Sequence, residues 1–387
     1  MSLSDNPKEH VQHHEETFHP WSRVSRRAFL GMAGAALLVG CASSPTSSAR
    51  TATPGGTPTL APGTVLLPAA RIEPANAGNM TLLGVLEAQT SPVRGLAWSP
   101  DGSMLALSAY LDAQLWDVKT GQRLATLRGH TSEVDGIAWS PDGALLATAS
   151  RDGSVRLWDA RQHTTLNVLR SAANPDPIIS VAWSPDSRRL ASGNGVGVVQ
   201  LWEAATGSQL AAWNAPPSDN PSTRSLAQAV YGIGWSPDGQ HVAANRYDNY
   251  LRIWEAQSGK SVAVLPTLTG PNGLAWSPDG RLLSVGTDTG AIQVWNTQTW
   301  KTSANLLQPG DSAGWTYSAP WTPDGQLLAA SRQDGTLQIW NAGTGTKLAN
   351  LTGHTSSIWA AAWSPDGLRL ASGSDDGTAR LWGVRQA

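Results

Sequence analysis

Seven aspartates recur at one fixed place in the chain and are the residues most suited to chemistry by type and number. Each follows a proline in the pentapeptide Trp-Ser-Pro-Asp-Gly or a close variant of it: Asp101, Asp142, Asp186, Asp238, Asp279, Asp324 and Asp366. Carboxylates held close together could act as general acids and bases or bind a cation. Proline, however, presets φ in a turn, and Asp-Gly supplies a capping side chain and a permissive backbone. We therefore predict that these carboxylates stabilise turns and carry no catalysis.

Two glycine-rich stretches and two histidines are the other candidates for chemistry. Residues 343–347 lack the spacing of a phosphate-binding loop and no helical pattern follows them, and residues 193–197 are interpreted as a β-turn. His130 and His354 each follow a glycine just ahead of a strand. We predict no catalytic residue, no cofactor and no metal site, and therefore a protein that is not an enzyme.

The aspartates belong to a repeat that spans most of the chain. The pentapeptide begins at seven tryptophans: Trp98, Trp139, Trp183, Trp235, Trp276, Trp321 and Trp363. A second tryptophan follows each of them 18 or 19 residues later. Within a copy, short apolar runs alternate with turn residues and show no helical period, which indicates four short antiparallel strands. Such a unit cannot bury its faces alone, so the copies must stack around an axis. The sequence predicts an all-β fold, a seven-bladed β-propeller of four-stranded antiparallel blades.

The repeats resemble those of the WD-repeat (β-transducin-like) propeller family. Trp116-Asp117 and Trp158-Asp159 carry one signature dipeptide, and Gly129-His130 and Gly353-His354 carry the other. The resemblance implies a structural hydrogen-bond network in two blades, formed by His130, Thr148 or Ser150, Asp152 and Trp158, and by His354, Ser372 or Ser374, Asp376 and Trp382. Ser150 and Ser374 are the preferred hydroxyls. The five copies without Gly-His are expected to depend more on packing.

The ends of the repeat region predict how the ring closes. The last copy stops after its third strand, whereas residues 81–86, ahead of the first copy, match the fourth strands of other copies. We predict that this amino-terminal strand closes the last blade and removes an exposed sheet edge. The propeller is predicted over residues 80–387, as a monomeric ring.

The first 79 residues are interpreted as an export signal followed by a tether. Arg26 and Arg27 lie in a stretch that resembles a twin-arginine export motif, and Cys41, the single cysteine, ends an apolar run that resembles a bacterial lipobox. Residues 1–40 are predicted to be a signal peptide, and residues 41–79, rich in Ser, Thr, Pro and Ala, a disordered tether. These resemblances imply an extracytoplasmic protein anchored to the bacterial cell membrane by lipid on Cys41.

One position differs among the copies although its neighbours stay small. Four residues before the first tryptophan of each copy stand Arg94, Asp135, Ile179, Tyr231, Asn272, Tyr317 and Trp359. The resemblance places them where the innermost strand begins, around the mouth of the central channel, and we call them the mouth residues. Arg, Tyr and Trp dominate binding energy at many protein interfaces. We therefore predict that the mouth residues bind an unidentified protein or peptide.

Together these features predict a non-catalytic protein–protein interaction scaffold or recognition module in the cell envelope. A net charge of −2 without a long basic run argues against nucleic acid as a partner. Two alternatives stay open: a cell-wall or carbohydrate-binding propeller, in which Tyr231, Tyr317 and Trp359 would dominate, and a Tol-type envelope propeller. A propeller hydrolase would need acids that point into the channel, and Asp135 is its candidate.

Overall fold

The computed structural model describes residues 64–68, 70–88, 91–170, 176–214, 229–246, 248–268, 270, 272–307 and 314–385. The predicted signal peptide, Arg26, Arg27 and Cys41 lie outside these residues. Within the described ranges the regular structure is β-sheet, apart from the 3-10 turn Ala77–Asn79. No helix of the described part is long and apolar enough to cross a membrane.

The described strands form seven antiparallel sheets of four strands each, and we number these blades in chain order. The amino-terminal strand β1 spans Met80–Glu87. Blade 1 contains β2 (Leu96–Trp98), β3 (Met104–Ala109), β4 (Asp112–Asp117) and β5 (Arg123–Leu127). Blade 2 contains β6 (Val134–Trp139), β7 (Leu145–Ser150), β8 (Ser154–Asp159) and β9 (Thr165–Arg170). Blade 3 contains β10 (Ile178–Trp183), β11 (Arg189–Asn194), β12 (Val198–Glu203) and β13 (Gln209–Asn214).

The remaining four blades repeat this order. Blade 4 contains β14 (Val230–Trp235), β15 (His241–Arg246), β16 (Tyr250–Glu255) and β17 (Ser261–Pro266). Blade 5 contains β18 (Leu274–Trp276), β19 (Leu282–Gly286), β20 (Ile292–Asn296) and β21 (Lys301–Leu306). Blade 6 contains β22 (Thr316–Ser318), β23 (Leu327–Arg332), β24 (Leu337–Asn341) and β25 (Lys347–Leu351). Blade 7 contains β26 (Ile358–Trp363), β27 (Leu370–Ser374) and β28 (Thr378–Val384), with β1 as its fourth strand.

The first strand of each blade faces the axis and joins its neighbours into a closed ring. Contacts link β2 to β6, β6 to β10, β10 to β14 and β14 to β18. Contacts of β22 with β19 and with β26, and of β26 with β2, complete the circle. Each core cluster lies between two blades; one, for example, joins Leu157 of blade 2 to Trp183 of blade 3. The predicted seven-bladed propeller is confirmed.

The first tryptophan of a copy ties its blade to the preceding one. Its indole N–H donates to a backbone carbonyl of the neighbouring first strand or its end in five blades: Trp98 to Ala362, Trp183 to Ala138, Trp276 to Gly234, Trp321 to Ala275 and Trp363 to Pro320, at 2.9–3.3 Å. The ring is therefore held by directional bonds as well as by apolar packing.

The amino-terminal strand closes the last blade as predicted. β1 pairs antiparallel with β28, from Met80 opposite Val384 to Glu87 opposite Thr378. The outer strands of the last blade are thus formed from the two ends of the repeat region, which leaves β28 with a partner on both sides.

The predicted tether boundary at residue 79 is too late. Residues 64–68 and 70–79 belong to the range predicted to be disordered, yet they lie against blades 6 and 7. Val65 forms a bridge with Gly84 of β1, and the Ile72 N–H donates to the Gly367 carbonyl at 3.0 Å. Ile72 and Ala77 are buried in the core between blades 6 and 7. The prediction fails because the buried side chains of this segment, Ile72 and Ala77, are too few to show a period in the sequence.

Candidate functional site

A β-bulge sets the mouth residues apart from the rest of the inner strands. In blades 2, 3, 4, 6 and 7 the pairing of the first two strands skips one residue, and that residue is the mouth residue: Asp135, Ile179, Tyr231, Tyr317 and Trp359. A bulged residue leaves the ladder and its side chain is re-aimed. This position is therefore released from sheet pairing, which explains why its residue type differs between copies.

Neighbouring mouth residues approach each other closely. A Cβ added at Gly95, next to Arg94, would lie 2.7 Å from the Asp135 carbonyl oxygen, and one at Gly136 would lie 3.0 Å from the Ile179 carbonyl oxygen. Glycine follows the mouth position there because the backbone of the next blade occupies the space of a side chain. The mouth residues consequently form a contiguous rim.

A charged cluster occupies the rim at blades 1 and 2. The Arg94 guanidinium donates from Nη1 to Glu133 Oε2 at 2.6 Å and to Asp135 Oδ1 at 3.1 Å. Arg151 Nε donates to the other oxygen of Asp135, Oδ2, at 2.7 Å. Burial opposes the charge on Arg94, but Asp135 and Glu133 raise its pKa above its ordinary value. Two arginines and two carboxylates are thus fixed in place before any partner arrives.

An aromatic cluster continues the rim at blades 6 and 7. The rings of Tyr317 and Trp359 lie 4.2 Å apart between centroids, and Trp315 meets Tyr317 edge to face at 5.8 Å. Arg94 places its guanidinium carbon 5.7 Å from the Trp359 ring centroid, a cation–π contact that joins the aromatic and charged clusters. We call this continuous arrangement, from Trp315 to Arg151, the mouth array.

The other three mouth residues lie in blades 3, 4 and 5 and have different surroundings. Asn272 is buried, and its amide donates to the Thr316 carbonyl at 3.1 Å, so it links blades 5 and 6 and does not face a partner. Ile179 and Tyr231 are half-buried in blades 3 and 4. The predicted site is therefore only partly assembled as one cluster. Four of its seven residues are in contact with one another: Arg94, Asp135, Tyr317 and Trp359.

Sequence reasoning missed several residues of this surface. Glu133 and Arg151 complete the charged cluster. Burial raises the pKa of Asp375, while the neighbouring Trp359 and Arg94 oppose that rise. Tyr110 lies beside Arg94 and Glu133, is 52% exposed and has a φ of +57°. It stands in the turn between the second and third strands, where blades 2 and 7 have Asp-Gly. Comparing the copies at that turn would have found it.

The predicted hydrogen-bond network is present around both histidines, with one hydroxyl corrected in each. In blade 2, His130 Nδ1 lies 2.8 Å from Asp152 Oδ2 and Nε2 lies 2.7 Å from Thr148 Oγ1, which accepts the Trp158 indole N–H at 2.9 Å. The network hydroxyl is therefore Thr148, and Ser150 is wrong: its Oγ donates to the Ser132 carbonyl instead.

The second network, in blade 7, is built in the same way. His354 lies 2.8 Å from Asp376 Oδ2 and 2.8 Å from Ser372 Oγ, which accepts the Trp382 indole N–H at 2.9 Å. Ser374, the preferred hydroxyl, is wrong, since it donates to the Ser356 carbonyl. Burial lowers the pKa of His354. Burial also opposes the charge on Asp376, yet its hydrogen bonds hold its pKa well below the usual range.

These networks have the atom order of a nucleophilic triad but not its accessibility. A hydroxyl, an imidazole and a carboxylate in series can activate an oxygen nucleophile. Here Thr148 and Ser372 are fully buried, and each hydroxyl oxygen already accepts an indole N–H. A carbonyl substrate cannot reach them, so the arrangement stabilises the blade.

Blade 4, which was expected to depend more on packing, has an ion pair in the place of the network. Asp248 is in the turn position of Asp152, and its side chain is fully buried. Arg252 binds both carboxylate oxygens, with Nη1 3.0 Å from Oδ1 and Nη2 2.7 Å from Oδ2, and Arg246 Nε lies 3.6 Å from Oδ2. A paired, hydrogen-bonded charge is the form in which a buried carboxylate is tolerated.

The seven turn aspartates do what turn chemistry predicts. In each turn Oδ1 accepts the hydroxyl of the residue two positions earlier at 2.5–2.6 Å, for example Ser99 to Asp101 and Thr322 to Asp324. That hydroxyl also accepts a backbone N–H from the next strand, such as that of Met104. Within the described residues, no group of three or more His, Cys, Asp or Glu side chains could hold a metal ion.

Comparison with known proteins agrees with the blade geometry. Residues 80–117, 121–159 and 164–203 match the family model described as WD domain, G-beta repeat. Residues 233–384 match the model described as WDR19 first beta-propeller. A search of curated proteins gave no match. The two family matches together support a WD-repeat propeller family.

Proposed function

We propose that this chain, as a WD-repeat propeller, is a non-catalytic interaction module that holds a protein or peptide against the mouth array. WD-repeat propellers generally serve as protein-binding scaffolds, which supports this class of function. The observation that carries the proposal is the continuous contact from Trp315 through Trp359 and Arg94 to Arg151, which gathers aromatic and charged side chains on one side of the rim.

The composition of the mouth array suits a protein partner. Tyr, Trp and Arg are enriched at binding hot spots, and here they stand beside carboxylates that can pair with basic residues of a partner. Ion pairs and ring contacts already fix these side chains, so little conformational entropy is lost on binding. A rigid scaffold of this kind favours recognition of a segment that is itself extended or flexible.

The contacts of the aromatic residues favour a protein over a glycan at this place. A sugar needs an open aromatic face, yet Tyr317 is buried to 7% exposure and packs against Trp315 and Trp359. Trp359 is contacted in turn by Tyr317 and by Arg94. The rings therefore support Arg94 and shape the rim, and charged residues carry much of the recognition.

Crosslinking and pull-down from intact cells tests this function. We expect the wild type to capture a discrete protein, and Arg94→Ala and Asp135→Ala to reduce that capture at least about tenfold. Ile179→Ala, at the same bulge in blade 3, is the matched control and should not change it. If only the triple change Tyr231→Ala, Tyr317→Ala and Trp359→Ala acts, and the wild type sediments with purified cell wall instead of protein, a glycan-binding function replaces this one.

We further propose that the propeller is displayed outside the bacterial cytoplasm on a lipid anchor at Cys41. The support is the arrangement of Arg26-Arg27, a short apolar run and the single cysteine. Fractionation of cells tests it: Cys41→Ser should move the protein from the membrane to the soluble fraction. Replacing Arg26 and Arg27 with lysine should retain a longer precursor inside the cell. An unchanged membrane fraction for Cys41→Ser would contradict the anchor.

A further inference from the structure

A pocket of about 320 Å³ opens between blades 4 and 5, at the ends of the inner strands away from the mouth residues. The pentapeptide turns of both blades line it with Asp238 and Asp279, and Trp300 closes it from the turn between the third and fourth strands of blade 5. A volume of this size falls at the lower end of the range for small-molecule sites. Neither the mouth array nor the blade networks contribute to it.

Three aromatic rings form one wall of this pocket. His241 stacks on Trp276 with centroids 6.5 Å apart and an interplanar angle of 23°. Trp300 stands nearly perpendicular to both, at 6.2 Å from His241 and 6.4 Å from Trp276. All three side chains are half-buried, so part of each ring surface stays accessible. The wall is a preformed apolar surface next to charged groups.

Trp300 occupies a position that the fold gives to glycine. The equivalent residues of four other blades are Gly121, Gly207, Gly259 and Gly345, all with φ near +70° and the same turn hydrogen bond. Trp300 adopts φ +53° and makes that bond to Asn296 at 2.8 Å. A bulky residue in the left-handed region is strained, and such strain is concentrated at functional sites. His163, at the same turn of blade 2, has a φ of +59°, so the feature that distinguishes blade 5 is the tryptophan side chain that this turn holds over the pocket.

The charges around the pocket restrict what it can bind. Asp238 and Asp279 each use Oδ1 in their own turn, and the Arg281 guanidinium lies 3.9 Å from Asp279 Oδ2. The two carboxylates repel an anion, and Arg281, which lies next to Asp279, offsets one of their two charges. A ligand with hydroxyl groups can use both the carboxylate acceptors and the guanidinium donor.

From this geometry we infer that the pocket between blades 4 and 5 is a binding site for a neutral polyhydroxylated ligand, a sugar ring. The aromatic wall takes the apolar face of the ring. The outer oxygens of Asp238 and Asp279 accept its hydroxyl protons, and Arg281 donates to its oxygens. This site lies beyond the protein-binding function proposed for the mouth array and does not depend on it.

Isothermal titration of the full chain with two probes, methyl β-glucopyranoside and the disaccharide of N-acetylglucosamine, tests the site. We expect at least one probe to bind to the wild type, and Trp300→Gly to weaken it at least about tenfold. Glycine fits this backbone, so the variant keeps the turn while losing the ring. Arg281→Ala, at an exposed side chain, provides a second variant that leaves the fold intact.

Two controls make the outcome specific. His163→Gly changes the equivalent turn position of blade 2, which also has a positive φ, and should leave binding unchanged. Arg94→Ala, in the mouth array, should also leave it unchanged, which separates this site from the proposed protein-binding surface. The inference is overturned if neither sugar binds, if Trp300→Gly binds as well as the wild type, or if tetramethylammonium or inorganic phosphate binds there in place of the sugars.

Discussion

At the scale of single residues, the tryptophans have two distinct tasks. The second tryptophan of blades 2, 3 and 7 donates its indole N–H to a hydroxyl inside its own blade: Trp158 to Thr148, Trp202 to Ser192 and Trp382 to Ser372. The first tryptophan reaches across to the preceding blade, as Trp183 does to the Ala138 carbonyl. One residue type thus stabilises both the blade and the ring.

Replacing the first tryptophan of blade 3 should measure the bond between blades. Trp183→Phe removes the hydrogen bond to the Ala138 carbonyl, whereas Trp139→Phe, at an equally buried site, removes an indole N–H without a partner among the described residues. We expect Trp183→Phe to lower the free energy of unfolding by about 1 kcal/mol more than Trp139→Phe. Urea unfolding of both variants checks this, and equal losses would contradict a bond between the blades.

The buried histidine of blade 7 should make stability depend on pH. Burial lowers the pKa of His354 in the folded chain, so the unfolded chain takes up the proton first. Its contribution is then complete above the unfolded pKa of about 6.5 and is lost as pH falls below that value, by at most about 1.4 kcal/mol per pH unit. We expect denaturant midpoints to fall between pH 7.5 and 5 in the wild type and to fall less in His354→Gln. An unchanged pH dependence in the variant would refute this.

The sequence predicted the participants of the networks better than their contacts. His130, Asp152 and Trp158 follow from the resemblance, but the hydroxyl could not be chosen, because Thr148 and Ser150 are two residues apart and face the same side of β7. Which of the two hydroxyls joins the network depends on how far along β7 the imidazole of His130 reaches, and the sequence does not show this. Asp248 in blade 4 is a second case in which the sequence shows a participant but not its contact. Blade 4 has no Gly-His pair, and arginine binds Asp248 where histidine binds the equivalent aspartate of blade 2.

At the scale of strands and turns, the periodic parts were predictable and the exceptions were not. Alternating apolar runs and Trp-Ser-Pro-Asp-Gly turns give the four-stranded blades, and the match of residues 81–86 to fourth strands gives β1. The bulge at the mouth position leaves no periodic signal, because it is a single skipped residue. The packed segment before β1 is missed for the same reason: Ile72 and Ala77 make its buried contacts without a repeat.

A substitution in this segment tests whether it belongs to the folded unit. Ile72 is 1% exposed in the core between blades 6 and 7, so Ile72→Ala should cost about 2–5 kcal/mol of unfolding free energy. Glu73→Ala, at the adjacent exposed residue, is the control and should stay within about 0.5 kcal/mol of the wild type. Thermal unfolding compares them, and a wild-type midpoint for Ile72→Ala would mean that the ring does not need the segment.

At the scale of the whole molecule, the repeats predict the ring, but contacts across copies create its surfaces. Arg94 and Asp135 are 41 residues apart in the sequence, and Arg94 meets Trp359 because the last blade lies beside the first. A comparison of copies identifies the variable position. It does not reveal that four of the seven mouth residues contact one another, or that the Asn272 side chain donates to a backbone carbonyl instead. Surface function therefore had to be worked out from the closed ring.

Site-specific photo-crosslinking in intact cells tests the central claim, protein recognition at the mouth array, most directly. One crosslinker replaces Tyr110, exposed beside Arg94, and another replaces Leu166, which is 57% exposed on the outer strand β9 of the same ring. We predict a discrete protein adduct from position 110, its loss when Arg94→Ala is added, and no such adduct from position 166. The absence of an adduct at position 110, or the same adducts from both positions, would contradict the proposed function.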